Sequence, residues 1–256
     1  MTNSPSASPI PEAAKLSHRP IGIFDSGIGG TTILRSVQAL LPQENFIYFG
    51  DSKNCPFGTK SPEELKTIVR AATDFLLQKH AKLVIVACNT ATTQTIDFLR
   101  TTYPGVSFVG TEPAIKLACD SGKPNLLLLS TEGTAHSPRT QTLIDANLRP
   151  SQTLTNLPAL GLAEAIETRD LNKIRANLAQ NFKNIKNPEQ IDLVILGCTH
   201  YPLIKSEIQK FFPHAQLIDG GTGVARQTQK LLKKQNLLNS QSSPGSVEYF
   251  FSKPEK

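Results

Sequence analysis

The chain has 256 residues, of which 39% are hydrophobic and 19% charged, a composition typical of a folded globular protein and unlike that of a disordered chain. Its net charge of +6 suggests a nucleic-acid partner, but the basic residues are scattered and only LLKK forms a tight cluster, so we expect no nucleic-acid binding. No apolar run approaches the roughly 18 residues that a membrane span needs, and no membrane segment is expected.

The beginning of the chain differs in composition from the rest. Residues 1–19 are rich in Ser, Pro and Ala and lack the apolar stretch of a secretory signal, which predicts a flexible N-terminal tail. The chain has four cysteines and no signal peptide, a combination that predicts free thiols in a reducing compartment. The predicted localisation is therefore cytoplasmic.

From Pro20 onward, short apolar runs alternate with longer stretches in which apolar residues have helical spacing. Strands are predicted at residues 21–24, 45–50, 82–87, 106–110, 125–130, 192–197, 215–219 and 247–251. A helix is predicted over residues 61–80, with Ser61 as N-cap and Pro62 at the first helical position. Continuous apolar strands are typical of parallel sheets covered on both faces, so the sequence predicts an α/β protein.

Two of these strands end in the same way. LVIVACNTATT at residues 83–93 and LVILGCTHYPLI at residues 193–204 each run into a cysteine and then into small polar residues that suit a helix start. The repeat predicts two similar α/β lobes with mostly parallel sheets. Because open α/β sheets bind ligands at the carboxyl ends of their strands, the active site is expected in the cleft between the lobes.

The two cysteines of this repeat, Cys88 and Cys198, are the candidate reactive thiols. At a helix start, free N–H groups and the helix dipole favour a thiolate over a thiol. Cys119, in a helix-like segment, is expected in the core. Cys55 lies in a loop, where packing within the loop is the preferred interpretation.

Polar residues beside the two thiols suit anion binding and proton transfer. Asn89 and Thr90 follow the first thiol and Thr199 follows the second, and these side chains cap helices or hold a carboxylate. His200 lies two residues beyond the second thiol, and Asp25 ends the first strand. Each thiol therefore has a candidate ionisable helper.

Three chemical interpretations of these residues compete. Cys88, Cys198, His200 and Asp25 are all acceptable zinc ligands, but no pair has a usual zinc-site spacing, so no metal is expected. DSGIGG has the glycine content of a phosphate loop without either nucleotide-binding motif. In the third interpretation the thiols carry protons, since inverting a stereocentre needs a base on one face and an acid on the other.

Five segments then carry a resemblance that spans most of the chain. They are IGIFDSGIGG (21–30), YFGDSKNCPFG (48–58), ACNTAT (87–92), STEGT (130–134) and LGCTHYPL (196–203). In this order they resemble the glutamate racemase family of the aspartate/glutamate racemase superfamily. The resemblance implies a cofactor-independent enzyme that interconverts L- and D-glutamate through two thiols, with D-glutamate feeding peptidoglycan and hence the bacterial cell wall and cell shape.

The resemblance also implies residue roles. Cys88 would act as base on the D enantiomer, assisted by Asp25, and Cys198 on the L enantiomer, assisted by His200. The implied substrate contacts are Asp25, Ser26, Phe57, Gly58, Asn89, Thr90, Thr199 and His200. Two positions depart from the family pattern. Phe57 stands where the family usually has Tyr. NLPALGLAEAIE stands where many members have a CP-x-LV segment followed by a carboxylate, and this carboxylate is assigned to Glu167 in preference to Glu164.

The resemblance further implies that one lobe is inserted into the other. The first lobe would comprise residues 20–111 and 222–256, the second residues 112–221, and two chains would form a homodimer. An aspartate or hydantoin racemase would share the two thiols and remains an alternative. A non-catalytic amino-acid sensor that binds its ligand in the same cleft is another.

Overall fold

All eight predicted strands are present, and their ends differ from the prediction by no more than two residues. The structure, a computed structural model, describes residues 16–252. The strands of this region are β1 (Ile21–Asp25), β2 (Phe46–Gly50), β3 (Leu83–Val86), β4 (Phe108–Gly110), β5 (Asn125–Ser130), β6 (Thr153–Pro158), β7 (Leu193–Gly197), β8 (Gln216–Asp219) and β9 (Val247–Phe251).

Helices separate most of the strands, as the alternating pattern predicts. They are α1 (Thr31–Leu40), α2 (Pro62–Gln78), α3 (Asn89–Thr102), α4 (Ile115–Asp120), α5 (Glu132–Ala135), α6 (Pro138–Asn147), α7 (Leu162–Glu167), α8 (Leu171–Phe182), α9 (Lys205–Gln209) and α10 (Gly221–Lys234), with short 3-10 helices at Pro188–Gln190 and Tyr201–Ile204. No helix in the described part of the chain is long and apolar enough to cross a membrane.

The strands form two separate sheets, and every strand pair is parallel. The first has the order β4-β3-β1-β2-β9 and the second the order β6-β5-β7-β8. Helices cover both sides of the sheets, so the predicted α/β fold with two lobes is confirmed. The last strand, β9, returns to the first sheet beside β2, so the second sheet is built from a continuous stretch between β4 and β9.

Strand β6 is the one element of the sheets that the sequence pattern did not reveal. Its sequence TLTNLP alternates Leu with Thr and Asn, and most of its residues are only partly buried. It lies at the edge of the second sheet, pairing with β5 from Thr153 to Pro158. An edge strand needs less apolar sequence than a central one, and it tolerates a terminal proline.

Each sheet is packed between helices. Residues of α1 and α10 pack on one face of the first sheet, and residues of α2 and α3 pack on the other. In the second sheet, α7 and α8 cover one face, and α4 and α6 cover the opposite face. Cys119 belongs to α4 and is 1% exposed, so its predicted place in the core is confirmed. At the start of α2, Ser61 forms the predicted cap: its hydroxyl accepts from Glu64 N–H, and its own N–H donates to the Glu64 carboxylate.

The boundary of the predicted N-terminal tail differs in the structure. Residues 1–15 lie outside the described residues, but Ser17 is only 7% exposed. Its carbonyl accepts a hydrogen bond from Lys82 Nζ, which also binds the Glu44 carboxylate and the Leu237 carbonyl. Both Lys82 and Glu44 are buried, so the packed chain begins before Pro20.

Candidate active site

Side chains from the carboxyl ends of both sheets meet in one narrow cavity between the lobes. The cavity is lined by Ser26, Pro56, Phe57, Gly58, Cys88, Asn89, Thr90, Thr131, Ala163, Cys198, Thr199 and His200. Cys88 follows β3 of the first sheet and Cys198 follows β7 of the second, and each is 6% exposed. Two buried thiols from different lobes therefore share one enclosed space.

Cys88 is the N-cap residue of α3, as the sequence predicts, but the electrostatic expectation at this thiol was wrong. Burial raises the pKa of Cys88 above its ordinary value, and the negative charge of Asp25 raises it further. Hydrogen bonds from the Ala91 N–H and the Ser26 hydroxyl act in the opposite direction without reversing the shift. The helix start is outweighed because the thiol is buried and lies near the Asp25 carboxylate.

Cys198 has a different backbone setting from the one predicted. The chain continues through Thr199 and His200 into the 3-10 helix Tyr201–Ile204, so no α-helix starts directly at this thiol. Its neighbour is His200 instead, whose Nδ1 lies 3.7 Å from Cys198 Sγ. A proton can therefore pass between the thiol and the imidazole.

His200 is held by Glu167. Its Nε2 lies 2.6 Å from Glu167 Oε1, and its side chain is 1% exposed. Burial lowers the pKa of His200, but the hydrogen bonds to Cys198 and Glu167 and the nearby negative charges more than reverse this, and the pKa is raised well above 6.5. Burial in turn raises the pKa of Glu167, but its contacts with His200 and Ile28 outweigh this and lower it. Both shifts favour an imidazolium paired with a carboxylate.

Glu167 also joins the two lobes. Its Oε1 accepts a hydrogen bond of 2.8 Å from Ile28 N–H, in the loop after β1, while Glu167 itself ends α7 of the second sheet's lobe. A Cβ added at Gly27 would lie 1.8 Å from this oxygen. Gly27 is needed here because the carboxylate passes directly over the backbone. Of the two glutamates considered, Glu167 is the one that contacts His200.

Asp25 ends β1 and is fully buried. Its Oδ2 accepts hydrogen bonds from Gly27 N–H at 3.1 Å and Gly30 N–H at 2.9 Å, and its Oδ1 accepts one from Thr199 Oγ1 at 3.1 Å. Burial raises the pKa of Asp25, although the charge of His200 and these donors oppose the rise. The carboxylate thus lies among donors from both lobes, near the Cys88 side of the cavity.

The remaining predicted residues also line the cavity, although their side chains differ in role. Phe57 is 2% exposed and packs into the apolar cluster under α2 and α3, so its aromatic ring is part of the core. Thr90 Oγ1 lies 2.7 Å from the hydroxyl of Thr131, which stands at the carboxyl end of β5. Thr131 was not among the predicted contacts, although it lies in the STEGT segment and directly follows a predicted strand. Asn89 donates to the Thr111 carbonyl and is anchored to the backbone.

The cluster of potential metal ligands differs from the one considered from the sequence. Within residues 16–252, the group whose donor atoms lie within 4.8 Å of one another consists of Cys55, Glu167 and His200. Cys55 was assigned to loop packing, yet it lies beside the pair that supports Cys198.

Known proteins share this fold. A family model described as Asp/Glu/Hydantoin racemase matches residues 31–228. A glutamate racemase of Clostridium botulinum is 39% identical over 234 residues, covering 90% of each chain. The structure of a Francisella tularensis glutamate racemase in complex with D-glutamate is 28% identical with a TM-score of 0.77, covering 93% of this chain and 90% of that one. The Escherichia coli glutamate racemase, in complex with L-glutamate and the activator UDP-MurNAc-Ala, is 28% identical with a TM-score of 0.78, covering 92% and 91%. The chain therefore belongs to the Asp/Glu/Hydantoin racemase family and, within it, to the glutamate racemases.

Proposed function

We propose that the protein racemises glutamate by moving protons between Cys88, Cys198 and the α-carbon. The observation that carries the proposal is the shared cavity: two buried thiols reach it from the carboxyl ends of different sheets. The complexes of the F. tularensis and E. coli relatives contain D-glutamate and L-glutamate respectively, which supports glutamate as the substrate here.

The reaction needs one thiolate and one thiol on opposite faces of the substrate. The thiolate takes the α-proton and leaves a carbanion, and the opposite thiol returns a proton to the other face and becomes the thiolate. By analogy with the family, Cys88 takes the proton from D-glutamate and Cys198 takes it from L-glutamate. No electron leaves the system and no group other than protons is transferred, so the step balances with the two thiols alone, and by analogy with the family it uses no cofactor.

Asp25 and His200 are proposed to assist the two thiols. His200 lies 3.7 Å from Cys198, and its raised pKa keeps a proton beside that thiol. Asp25 lies on the Cys88 side, and its raised pKa brings proton exchange closer to neutral pH. Glu167 acts on His200 and is a positioning residue, since its carboxylate fixes the imidazole through Nε2.

Polar groups around the thiols are proposed to hold the two carboxylates of glutamate. The N-terminal turn of α3 presents backbone N–H groups beside Asn89 and Thr90, which is a favourable place for an anion. The hydroxyls of Ser26 and Thr199 lie on the remaining walls of the cavity; they donate to Cys88 and Asp25, and their oxygens can accept from the substrate ammonium. Gly58 allows the backbone to approach closely. At the step from Phe57 to Gly58, the backbone N–H groups are the proposed contacts because the ring is buried.

The larger context follows from the family. D-glutamate made by the enzyme would supply peptidoglycan synthesis in the cytoplasm, and the active form would be a homodimer. The lobes would comprise residues 20–111 with 222–256 and residues 112–221. The strand content of the two sheets supports this division.

The decisive experiment follows the optical signal of L-glutamate during incubation with the purified protein. Circular dichroism should decay to zero as the racemic mixture forms, and prior dialysis against a chelator should not prevent it. Aspartate and a hydantoin tested in parallel would reveal a different racemase specificity. A constant signal combined with measurable glutamate binding would instead indicate an amino-acid sensor.

A further inference from the structure

A third cysteine lies next to the proposed proton relay of Cys198. The donor atoms of Cys55, Glu167 and His200 all lie within 4.8 Å of one another. Cys55 is partly exposed and the Glu167 side chain is 21% exposed, whereas His200 is 1% exposed. The cluster therefore extends from the buried His200 to two partly exposed side chains, through which an ion from solvent would enter.

The chemistry of these donors selects the ion. A thiolate with an imidazole and a carboxylate is a ligand set for Zn²⁺, while Mg²⁺ and Ca²⁺ prefer oxygen ligands alone. Ligand bonds of Zn²⁺ place neighbouring donors about 3.3 to 3.8 Å apart in a tetrahedral site. The donor atoms of the three side chains already lie within 4.8 Å of one another. Rotation of the Cys55 thiol and a slight separation of His200 from Glu167 would bring the distances between these atoms into the range of a zinc site. We propose that Cys55, Glu167 and His200 form an inhibitory binding site for Zn²⁺.

The position of the site explains why binding would inhibit. Nε2 of His200 faces Glu167 Oε1 at 2.6 Å, so a cation shared by these two atoms replaces the proton between them. Binding releases two protons to solvent, the Nε2 proton of His200 and the Cys55 thiol proton, because the ligands are a neutral imidazole and a thiolate. Three protein donors leave a fourth position for water. With the metal on Nε2, the Nδ1 nitrogen that faces Cys198 keeps its own proton and cannot accept another. His200 then no longer exchanges a proton with Cys198, although neither cavity thiol binds the metal.

Metal binding is tested with Co²⁺, which replaces Zn²⁺ and gives a thiolate charge-transfer absorption when sulfur is a ligand. The wild-type protein should bind one Co²⁺ with this absorption, and Cys55→Ser and Cys55→Ala should lose it. Cys119→Ser is the matched control, because Cys119 is buried in the core of the other lobe's sheet. Thermal unfolding of each variant verifies that the fold is intact.

Inhibition is tested by titrating racemase activity with buffered free Zn²⁺. Cys55→Ser should keep its metal-free activity within about twofold and need at least about tenfold more Zn²⁺ for half inhibition, while Cys119→Ser should behave as wild type. If Cys55→Ser kept both the charge-transfer band and the wild-type zinc sensitivity, the metal would lie on the cavity thiols and the proposal would be overturned. Absence of Co²⁺ binding to the wild type would overturn it too. This inhibitory effect rests on the proposed racemase function, but the Co²⁺ measurement needs no activity, so the two proposals fail separately.

Discussion

Thr199 and Asp25 are joined across the two lobes by a hydrogen bond of 3.1 Å, from the threonine hydroxyl to Oδ1 of the carboxylate. Asp25 ends β1 of the first sheet, and Thr199 lies directly after Cys198 of the second. Their side chains are almost completely buried, so the bond is shielded from competing water. A residue beside the second thiol therefore helps, together with the Gly27 and Gly30 N–H groups, to orient the carboxylate proposed to assist Cys88.

Thr199→Val tests this link, because valine keeps the shape of the side chain and removes the hydroxyl. We expect kcat for racemisation to fall about tenfold to hundredfold, since a buried carboxylate oxygen loses its donor. Thr199→Ser, which restores the hydroxyl, should recover kcat to within about threefold of wild type. Circular dichroism at several glutamate concentrations separates kcat from KM. Equal losses in the two variants would show that the methyl group matters and the hydrogen bond does not.

Gly27→Ala is expected to disrupt the support of His200 without touching a cavity residue. The new methyl group would lie 1.8 Å from Glu167 Oε1, so the carboxylate must leave its position against Ile28 and His200. We expect kcat/KM to fall at least about tenfold. The loss should be equal for L- and D-glutamate, because enantiomers have the same free energy in water. Gly105→Ala is the control, since a Cβ there meets no atom within 4 Å.

Much of this site was predictable because it lies at strand ends. The continuous apolar runs before Asp25, Cys88 and Cys198 predict central parallel strands, and parallel strands bring their carboxyl ends to one edge. Local patterns do not report burial or the charges that a fold brings together. The wrong expectation for the Cys88 pKa arose in this way, because the sequence shows the helix start but not the burial of the thiol beside Asp25.

Residues on loops were harder to place than residues at strand ends. Cys55 lies in a loop 112 positions before Glu167 and 145 before His200 by their residue numbers, and no spacing rule connects these three side chains. Strand β6 was missed because it lies at a sheet edge, where polar residues are tolerated. Both features depend on tertiary contacts that no short window of sequence contains.

Phe57→Tyr tests the proposal that the backbone, and not the ring, contacts the substrate at this step. The ring is 2% exposed within the apolar cluster, so the added hydroxyl should change KM by less than about tenfold, ~1.4 kcal/mol. Stability should fall by about 1–3 kcal/mol if the hydroxyl remains buried without a partner. Glutamate kinetics and urea unfolding measure the two effects. A larger change in KM with unchanged stability would mean that the new hydroxyl reaches the cavity.

The raised pKa of Cys88 predicts its alkylation as a function of pH. Because the folded thiol ionises above its ordinary range, its rate with iodoacetamide should keep rising about tenfold per pH unit through pH 9. In the urea-unfolded protein the same thiol should level off near its usual pKa of about 8.5. Trypsin releases the labelled residue in the peptide 83–100, which mass spectrometry quantifies. A folded-state rate that levels off below pH 8.5 would show that the helix start prevails over burial.

The two-thiol mechanism predicts where the product obtains its α-proton. If each thiol exchanges its proton with solvent, product formed early in D2O should carry deuterium at Cα, while unreacted substrate stays largely protiated. Mass spectrometry of the separated enantiomers measures both. Product that kept the substrate's own proton would indicate a single base acting on both faces.

Single cysteine variants assign each thiol to one face. Cys88→Ser and Cys198→Ser should both lose racemisation, because a hydroxyl is a far weaker base than a thiolate at neutral pH and each turnover needs both partners. A β-substituted glutamate with a leaving group requires only one deprotonation before elimination, so one intact thiol suffices. Cys88→Ser should therefore still eliminate from the L analogue through Cys198, and Cys198→Ser from the D analogue through Cys88, while Cys119→Ser should process both. If either active-site variant eliminated from both enantiomers at equal rates, the assignment of the thiols to opposite faces would be wrong.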